Sequence, residues 1–266
     1  LKFMRNEKWD MFMVVFTGSD RISHFFWEDS NSQKSPSSVV EDYYSYLDTL
    51  IGQLIEEAGE ETIKIIMSDH GFGSTTKKCI NAFVLMKELG WTSFVSGGKF
   101  TYIRNGLLRK FGIKTKIEQK DIIDWERSMV YLVPIYNNFM GACINTMNEK
   151  KLGFISPGQE YEDLKTEIIT TLQELVDPDT GKKLVTNISP RNEIYSGDFM
   201  TRAPDLIVQF DYNYRLYFNP LKGALIDVNK LEPLHTGHHR LEGIFIASGA
   251  NIEPGNLEQD VNIQDI

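Results

Sequence analysis

A chain of 266 residues, 41% hydrophobic and 12% aromatic, fits a folded protein rather than a disordered one. That length can bury the core of one large α/β domain, with or without an inserted subdomain. The net charge of −9 argues against capture of a nucleic-acid polymer and suits a site that keeps carboxylates for divalent cations.

In chain order, Met11 to Phe16 (MFMVVF) is a short continuous apolar run before Gly18, the pattern of a strand buried on both faces. Ser38, with Pro36 upstream and Glu41 three residues on, makes a capping box. Val40, Tyr43, Leu47, Leu50, Ile51, Leu54, Ile55 and Ala58 then recur at helical spacing, and Gly59 supplies the stop. Thr62 to Met67 (TIKIIM) repeats the buried-strand pattern and runs into Ser68-Asp69-His70-Gly71. Strand, crossover helix and strand make a βαβ unit, so the expected fold is α/β with a mainly parallel central sheet flanked by helices. Residues 91–195 read as irregular apart from a helix from Gln159 to Leu175, which ends before the turn sequence DPDTG (Asp177 to Gly181). Strand patterns return in APDLIVQF (Ala203 to Phe210) and GIFIASG (Gly243 to Gly249). The expected organisation is an α/β core over 1–90, an irregular insertion or cap over 91–195, and a return to the core over 196–266.

No apolar run approaches the roughly 18 to 20 residues that cross a bilayer, so no membrane partner is expected. The opening LKFMRNEKWD has no apolar signal region. Cys79 and Cys143 suggest neither a metal spacing nor a disulfide framework. A reducing cytoplasm is therefore the expected compartment. Leu1 rather than Met opens the sequence, and VNIQDI reads as the start of an element, so the chain is expected to be part of a longer protein. Oligomeric state is not legible.

All five histidines fall in three places: His24, His70, and the group His235, His238 and His239. His24 follows Asp20 by four residues, just past the first expected strand. His70 directly follows Asp69 at the end of the second. The third group, HTGHHR, precedes the strand GIFIASG as a loop able to fold over the same edge. Ligands in open α/β sheets collect at the carboxyl ends of strands, so the three groups are placed to converge. Imidazole nitrogen with carboxylate oxygen is the donor set of zinc, manganese or iron in hydrolytic sites. Two such ions roughly 3.5 to 4 Å apart clamp the attacking and leaving oxygens of a phosphoryl transfer. Taken singly, each motif has a plainer reading: a surface pair one helical turn apart, a tight turn, and a solvated loop.

DRISHFFW, IMSDHGFG and TGHHRLEGIFIASG resemble the successive C-terminal metal motifs of the alkaline phosphatase superfamily. The branch they resemble is the type I phosphodiesterase/nucleotide pyrophosphatase group, with its related phosphohydrolases and phosphomutases. IDWERSMVY and RAPDLIV resemble connecting segments of that branch. The resemblance implies two divalent metal ions, one on Asp20, His24 and His239, the other shared by Asp69 and His70. His239 is favoured over His238 because the family's ligand precedes an Arg or similar residue, four positions before a Gly, as with Arg240 and Gly243. His238 would then support a ligand, touch substrate or lie exposed, and His235 has no implied role. Three His among five ligands make zinc the expected metal and manganese the alternative.

The family's nucleophile, a Thr or Ser opening a helix, and one further Asp ligand precede the Asp-x-x-x-His motif. Only nineteen residues precede Asp20 here, and none forms such a unit. Thr17, Ser19, Ser74 and Thr75 lie near the motifs without the spacing of an activated nucleophile. The chain is therefore expected to hold metal ligands but no catalytic nucleophile, and to be inactive alone. The expected function of the complete protein is a metal-dependent phosphohydrolase, a phosphodiesterase or phosphatase, acting on a small phosphate ester. A phosphomutase and a non-catalytic metal-binding module are the rival readings, and a sulfatase fits the motif context less well. Tyr102, Trp125, Tyr131, Tyr136 and Phe139 could pack on a substrate ring, although ordinary core packing accounts for most of them.

Overall fold

The computed structural model describes residues 1–30, 39–76, 78–95, 107, 122–136, 138–147, 153, 155–218, 225–228, 235–257 and 260–262. Ser38, Tyr102 and the last four residues of VNIQDI lie outside them, so the capping box, that aromatic and the expected terminal element are not described. The chain divides into two compact units: 1–75 with 233–266, and 76–232.

The first unit carries helices α1 (Lys2–Asn6), α2 (Gly18–Ser30) and α3 (Val39–Ala58). α3 ends where expected, at Gly59, whose φ of +75° is a conformation that glycine adopts without a Cβ penalty. α2 packs on α3 so closely that a Cβ at Gly18 would lie 2.2 Å from the Tyr43 hydroxyl. Two short antiparallel ladders complete the unit. β1 (Lys64–Met67) pairs with β11 (Phe245–Ser248), and β2 (Gly71–Ser74) pairs with β10 (Gly237–Arg240).

Four expectations change here. The run Met11–Phe16 is not a buried strand: it has no regular hydrogen-bonded structure, and Met11, Met13 and Val15 are each more than 70% exposed. β1 exists, but Ile65 and Met67 are exposed rather than covered. The mainly parallel sheet is not seen among the described strands, because β1 finds its ladder partner in the antiparallel β11 instead of in Met11–Phe16. A parallel sheet needs strands flanked on both sides and covered on both faces, and neither condition is met. The segment HTGHHR also differs from expectation, since Gly237–Arg240 is strand β10 and not a loop.

The second unit is built on a four-stranded antiparallel sheet in the order β4-β5-β7-β6, from β4 (Val130–Tyr136), β5 (Phe139–Ile144), β6 (Val185–Pro190) and β7 (Leu206–Phe210). The stretch 91–195, expected to be irregular, thus contains regular strands. Short, mixed-polarity strands such as VTNISP lack a clean period-2 signal, which hid them. Helix α5 (Gln159–Glu174) follows α4 (Ala82–Glu88) and buries Leu164, Ile168 and Leu172, one residue per turn. They join Val130, Leu132, Met140, Ile144, Leu206, Val208 and Phe210 in one core. A smaller sheet, β8 (Arg215–Tyr217), β3 (Lys78–Asn81) and β9 (Ile226–Val228), holds the parallel pair β3–β8. The fold is α/β. Among the described residues, no helix is long and apolar enough to cross a membrane.

Asp177, in the turn after α5, is a buried carboxylate that ties β3 into this unit. It accepts from Lys78 Nζ at 2.7 Å, from the Tyr214 hydroxyl, and from the Asp179 amide at 2.9 Å. The Lys78 and Tyr214 hydrogen bonds hold its carboxyl below the ordinary aspartate range. A lowered carboxylate pKa stabilises the fold at pH values above the unfolded pKa, and that contribution is lost as pH falls through the folded value. Asp177→Asn is therefore expected to lower the Tm at neutral pH, with the gap from the parent chain closing in strong acid. A Tm difference that is constant across the acid range would refute this assignment.

Candidate metal centre

Asp20 and His24 sit one turn apart on α2, so their side chains share a face. Asp20 lies in the first turn, where the positive end of the helix dipole favours a carboxylate. The strand carrying His239 is fastened to this helix by two hydrogen bonds. The Thr236 amide donates to the His24 carbonyl at 2.7 Å, and His24 Nδ1–H donates to the Gly237 carbonyl at 3.0 Å. Gly237 permits that approach: a Cβ there would stand 2.3 Å from the Ser23 carbonyl oxygen and 2.7 Å from Trp27 Cβ. The β2–β10 register then sets His239 opposite Phe72 and Arg240 opposite Gly71. Arg240 reinforces the pairing by donating to the Ser74 carbonyl at 2.5 Å and to the His239 carbonyl at 3.1 Å.

Asp69 and His70 lie in the turn between β1 and β2. Ser68, just before them, exchanges hydrogen bonds with Ile244: its amide donates to the Ile244 carbonyl at 3.1 Å, and its hydroxyl oxygen accepts from the Ile244 amide at 2.9 Å. Gly71 passes so close to the 242 carbonyl that a Cβ would fall 1.8 Å from the oxygen. His70 Nδ1–H donates to the Gly71 carbonyl at 3.0 Å, leaving the Nε2 lone pair to face the other donors.

These elements bring Asp20, His24, His70 and His239 together. His239 Nε2 is 2.9 Å from Asp20 Oδ1 and 3.0 Å from His24 Nε2, and the third edge, His24 Nε2 to Asp20 Oδ1, is 3.5 Å. Ligands in a tetrahedral zinc site, with bonds near 2.0–2.1 Å, stand about 3.3 Å apart. The observed edges bracket that value. The chemistry of the set also fits a cation. With Nδ1 of His24 protonated, its Nε2 and the Asp20 carboxylate are both lone-pair donors facing His239 Nε2. One N–H on His239 can satisfy one of them, whereas a metal ion satisfies all three.

His70 Nε2 lies 3.9 Å from Asp20 Oδ1, and its ring stacks on His239 with 3.6 Å between centroids. The donor atoms of Asp20, His70 and His239 all fall within 4.8 Å of one another. Asp69 is nearby but turned outward: Oδ1 is 3.6 Å from His70 Nε2, and the side chain is 78% exposed. Burial pushes the His239 imidazole below its usual pKa; His70 adds to this, the hydrogen bond to Asp20 opposes it, and His24 contributes further lowering. The neutral, metal-competent form of His239 is thereby favoured.

His238 is buried, and its Nδ1 accepts the His239 amide at 2.9 Å, so it helps fix the backbone of its neighbour. The His235 ring lies 5.0 Å from His24 and meets the Phe25 ring edge-on at 4.8 Å, although its sequence position suggested no role. Phe72 was also missed. Its ring makes edge-type contacts with His24 at 4.9 Å and His239 at 5.3 Å, an apolar wall against two imidazoles. Its place directly after Asp-His-Gly was the available signal.

Glycine substitution separates close approach from open space. Gly237→Ala is expected to push β10 from α2 and destabilise the unit by about 1–3 kcal/mol. Gly52→Ala, inside α3 with nothing within 4 Å of the new methyl, is expected to stabilise by up to about 1 kcal/mol. Thermal unfolding of the two variants distinguishes them, and equal effects would contradict the packing described.

Comparison with known proteins covers most of the chain. The model of the family described as type I phosphodiesterase/nucleotide pyrophosphatase matches residues 2–240. No curated protein sequence matches. Two solved structures are similar. Human ectonucleotide pyrophosphatase/phosphodiesterase 5 is 14% identical with a TM-score of 0.36, over 87% of this chain and 45% of that one. Phosphonoacetate hydrolase from Sinorhizobium meliloti 1021, in complex with phosphonoacetate, is 13% identical with a TM-score of 0.43, over 88% of this chain and 45% of that one. The chain thus spans about 45% of the length of either structure. The family match, extending over more than half of the sequence and through all three histidine groups, means that the chain belongs to the type I phosphodiesterase/nucleotide pyrophosphatase family.

Proposed function

We propose that this chain is the metal-binding part of a divalent-metal-dependent phosphohydrolase, a phosphodiesterase or phosphatase acting on a small phosphate ester. One observation carries the reading: Asp20, His24 and His239 meet within 3.5 Å although more than 200 residues separate the helix from the strand. In the complete enzyme these three residues hold one ion, and Asp69 and His70 contribute to a second. Zinc is the first choice for a set rich in imidazole, with manganese the alternative. Bound there, divalent ions supply Lewis acidity, lowering the pKa of an attacking hydroxyl and stabilising a leaving oxygen.

The chain's own side chains have distinct parts in this scheme. The Gly237 and Gly71 carbonyls hold the His24 and His70 rings by their Nδ1–H groups, so that each Nε2 is presented in a fixed direction. Burial and the neighbouring His70 ring lower the His239 pKa, which favours its neutral form. The carboxylates of Asp20 and Asp69 offset cationic charge. The nucleophile belongs to a Thr or Ser outside this chain, and a further Asp ligand comes with it.

Equilibrium dialysis against zinc provides the test. The chain is expected to retain zinc, and His24→Ala and His239→Ala are each expected to weaken binding by about 100-fold or more. Zinc binding that survives both substitutions unchanged would end the metal reading. In the protein that contains this chain, His239→Ala is expected to lower kcat/KM on bis(p-nitrophenyl) phosphate by a similar factor, while the 266-residue chain alone stays at background.

A further inference from the structure

We propose that the second unit binds a small, neutral, single-ring aromatic molecule in a hollow between the β4–β5 hairpin and strand β8. The hollow has a volume of about 210 Å³ and is lined by Pro134, Ile135, Tyr136, Phe139, Leu216 and Phe218. All six residues belong to the unit 76–232, so the inference does not depend on the metal reading. A break in the β4–β5 ladder builds one wall. Successive side chains of a regular strand point to opposite faces, so three consecutive residues line one hollow only where the strand is distorted. Here the pairing passes from Pro134 opposite Met140 to Tyr136 opposite Phe139, and the extra residue, Ile135, has no partner in the register. Pro134 suits that break because it has no amide N–H to give to a ladder.

Size, charge and wall chemistry fix the occupant. An apolar cavity of roughly 150 Å³ walled by Leu, Ile and Phe takes up benzene, so about 210 Å³ suits one ring with a short substituent. None of the six lining side chains is charged, and an ionised ligand would lose hydration there without a counter-charge. Three of the six are aromatic, and ring faces and edges favour another ring over an aliphatic group of equal size. Part of the wall is held in place from behind. The Phe218 ring meets buried Phe83 edge-on at 5.9 Å, and Phe83 in turn meets Phe94 at 5.6 Å. Ile135 and Tyr136 are 46% and 49% exposed, so a ligand seated against them removes apolar surface from water. Trp125 and Tyr131, by contrast, meet each other at 5.2 Å and pack on the Phe83 cluster, which uses them as core.

The probe is 4-fluorobenzyl alcohol, followed by fluorine NMR in the presence of the 266-residue chain. Saturable shifting and broadening are expected, with a Kd on the order of 1 mM. Cyclohexylmethanol, similar in size but without an aromatic ring, is expected to compete about threefold or more less well. The ionised 4-fluorobenzoate is expected to bind about tenfold or more weakly. Ile135→Glu should weaken binding of the alcohol about tenfold or more, and Tyr136→Leu about threefold. Phe199→Ser, which removes an exposed ring outside the hollow, should leave it within about twofold of the parent. Thermal unfolding checks that each variant folds, and Tyr136→Leu carries the test if Ile135→Glu does not. Binding that never saturates, or that survives in a folded Ile135 or Tyr136 variant, would overturn the site. Equal competition by cyclohexylmethanol, or equal binding of the benzoate, would overturn the neutral aromatic occupant. None of these results bears on zinc retention by the first unit.

Discussion

Everything about the candidate centre depends on how strand β10 is fastened to helix α2. A helix alone can offer Asp20 and His24 on one face, but two donors hold a cation poorly in water. The third arrives because the backbone of 236–237 bonds to His24 through both its carbonyl and its ring. The same imidazole is thus a candidate ligand and a structural bolt, and its ring orientation is fixed by the strand that delivers its partner. Gly237 is the steric condition for this arrangement, since any side chain would collide with the helix backbone.

Around that bolt the site is asymmetric. His24, His238 and His239 are braced by protein groups on several sides, and Phe72 closes one wall without offering a competing donor. Asp69 has no comparable bracing and faces water. The Asp69 carboxylate keeps most of its hydration, whereas the His24 and His239 side chains are only 16% and 25% exposed.

Much of this was legible in the sequence, for identifiable reasons. Helix α3, strand β1, strand β11 and helix α5 follow from strong local patterns and appear within a residue or two of expectation. The three histidine groups could be picked out because they used every histidine in the chain and stood beside strand patterns. The strand identity of Gly237–Arg240 was hidden, since GHHR has no apolar alternation and is a strand only through pairing with β2. The opposite error befell Met11–Phe16, whose apolar composition says that it should be covered but cannot say by what. Burial is a property of neighbours, and hydrophobic pattern alone does not supply them. His235 and Phe72 escaped for a related reason: they touch the cluster through ring faces and edges, a relation that leaves no spacing signature.

The division of the chain gives the centre a place in time as well as in space. Unit 76–232 is one uninterrupted stretch, so every contact in its core is available as soon as that stretch has left the ribosome. The other unit is discontinuous, and the helix bearing Asp20 and His24 is synthesised more than 200 residues before the strand bearing His239. During that interval α2 has no β10 to close against, and the His24 imidazole lacks the Gly237 carbonyl that fixes it. The full donor set of the candidate centre therefore comes together only after the four-residue strand β10 has emerged.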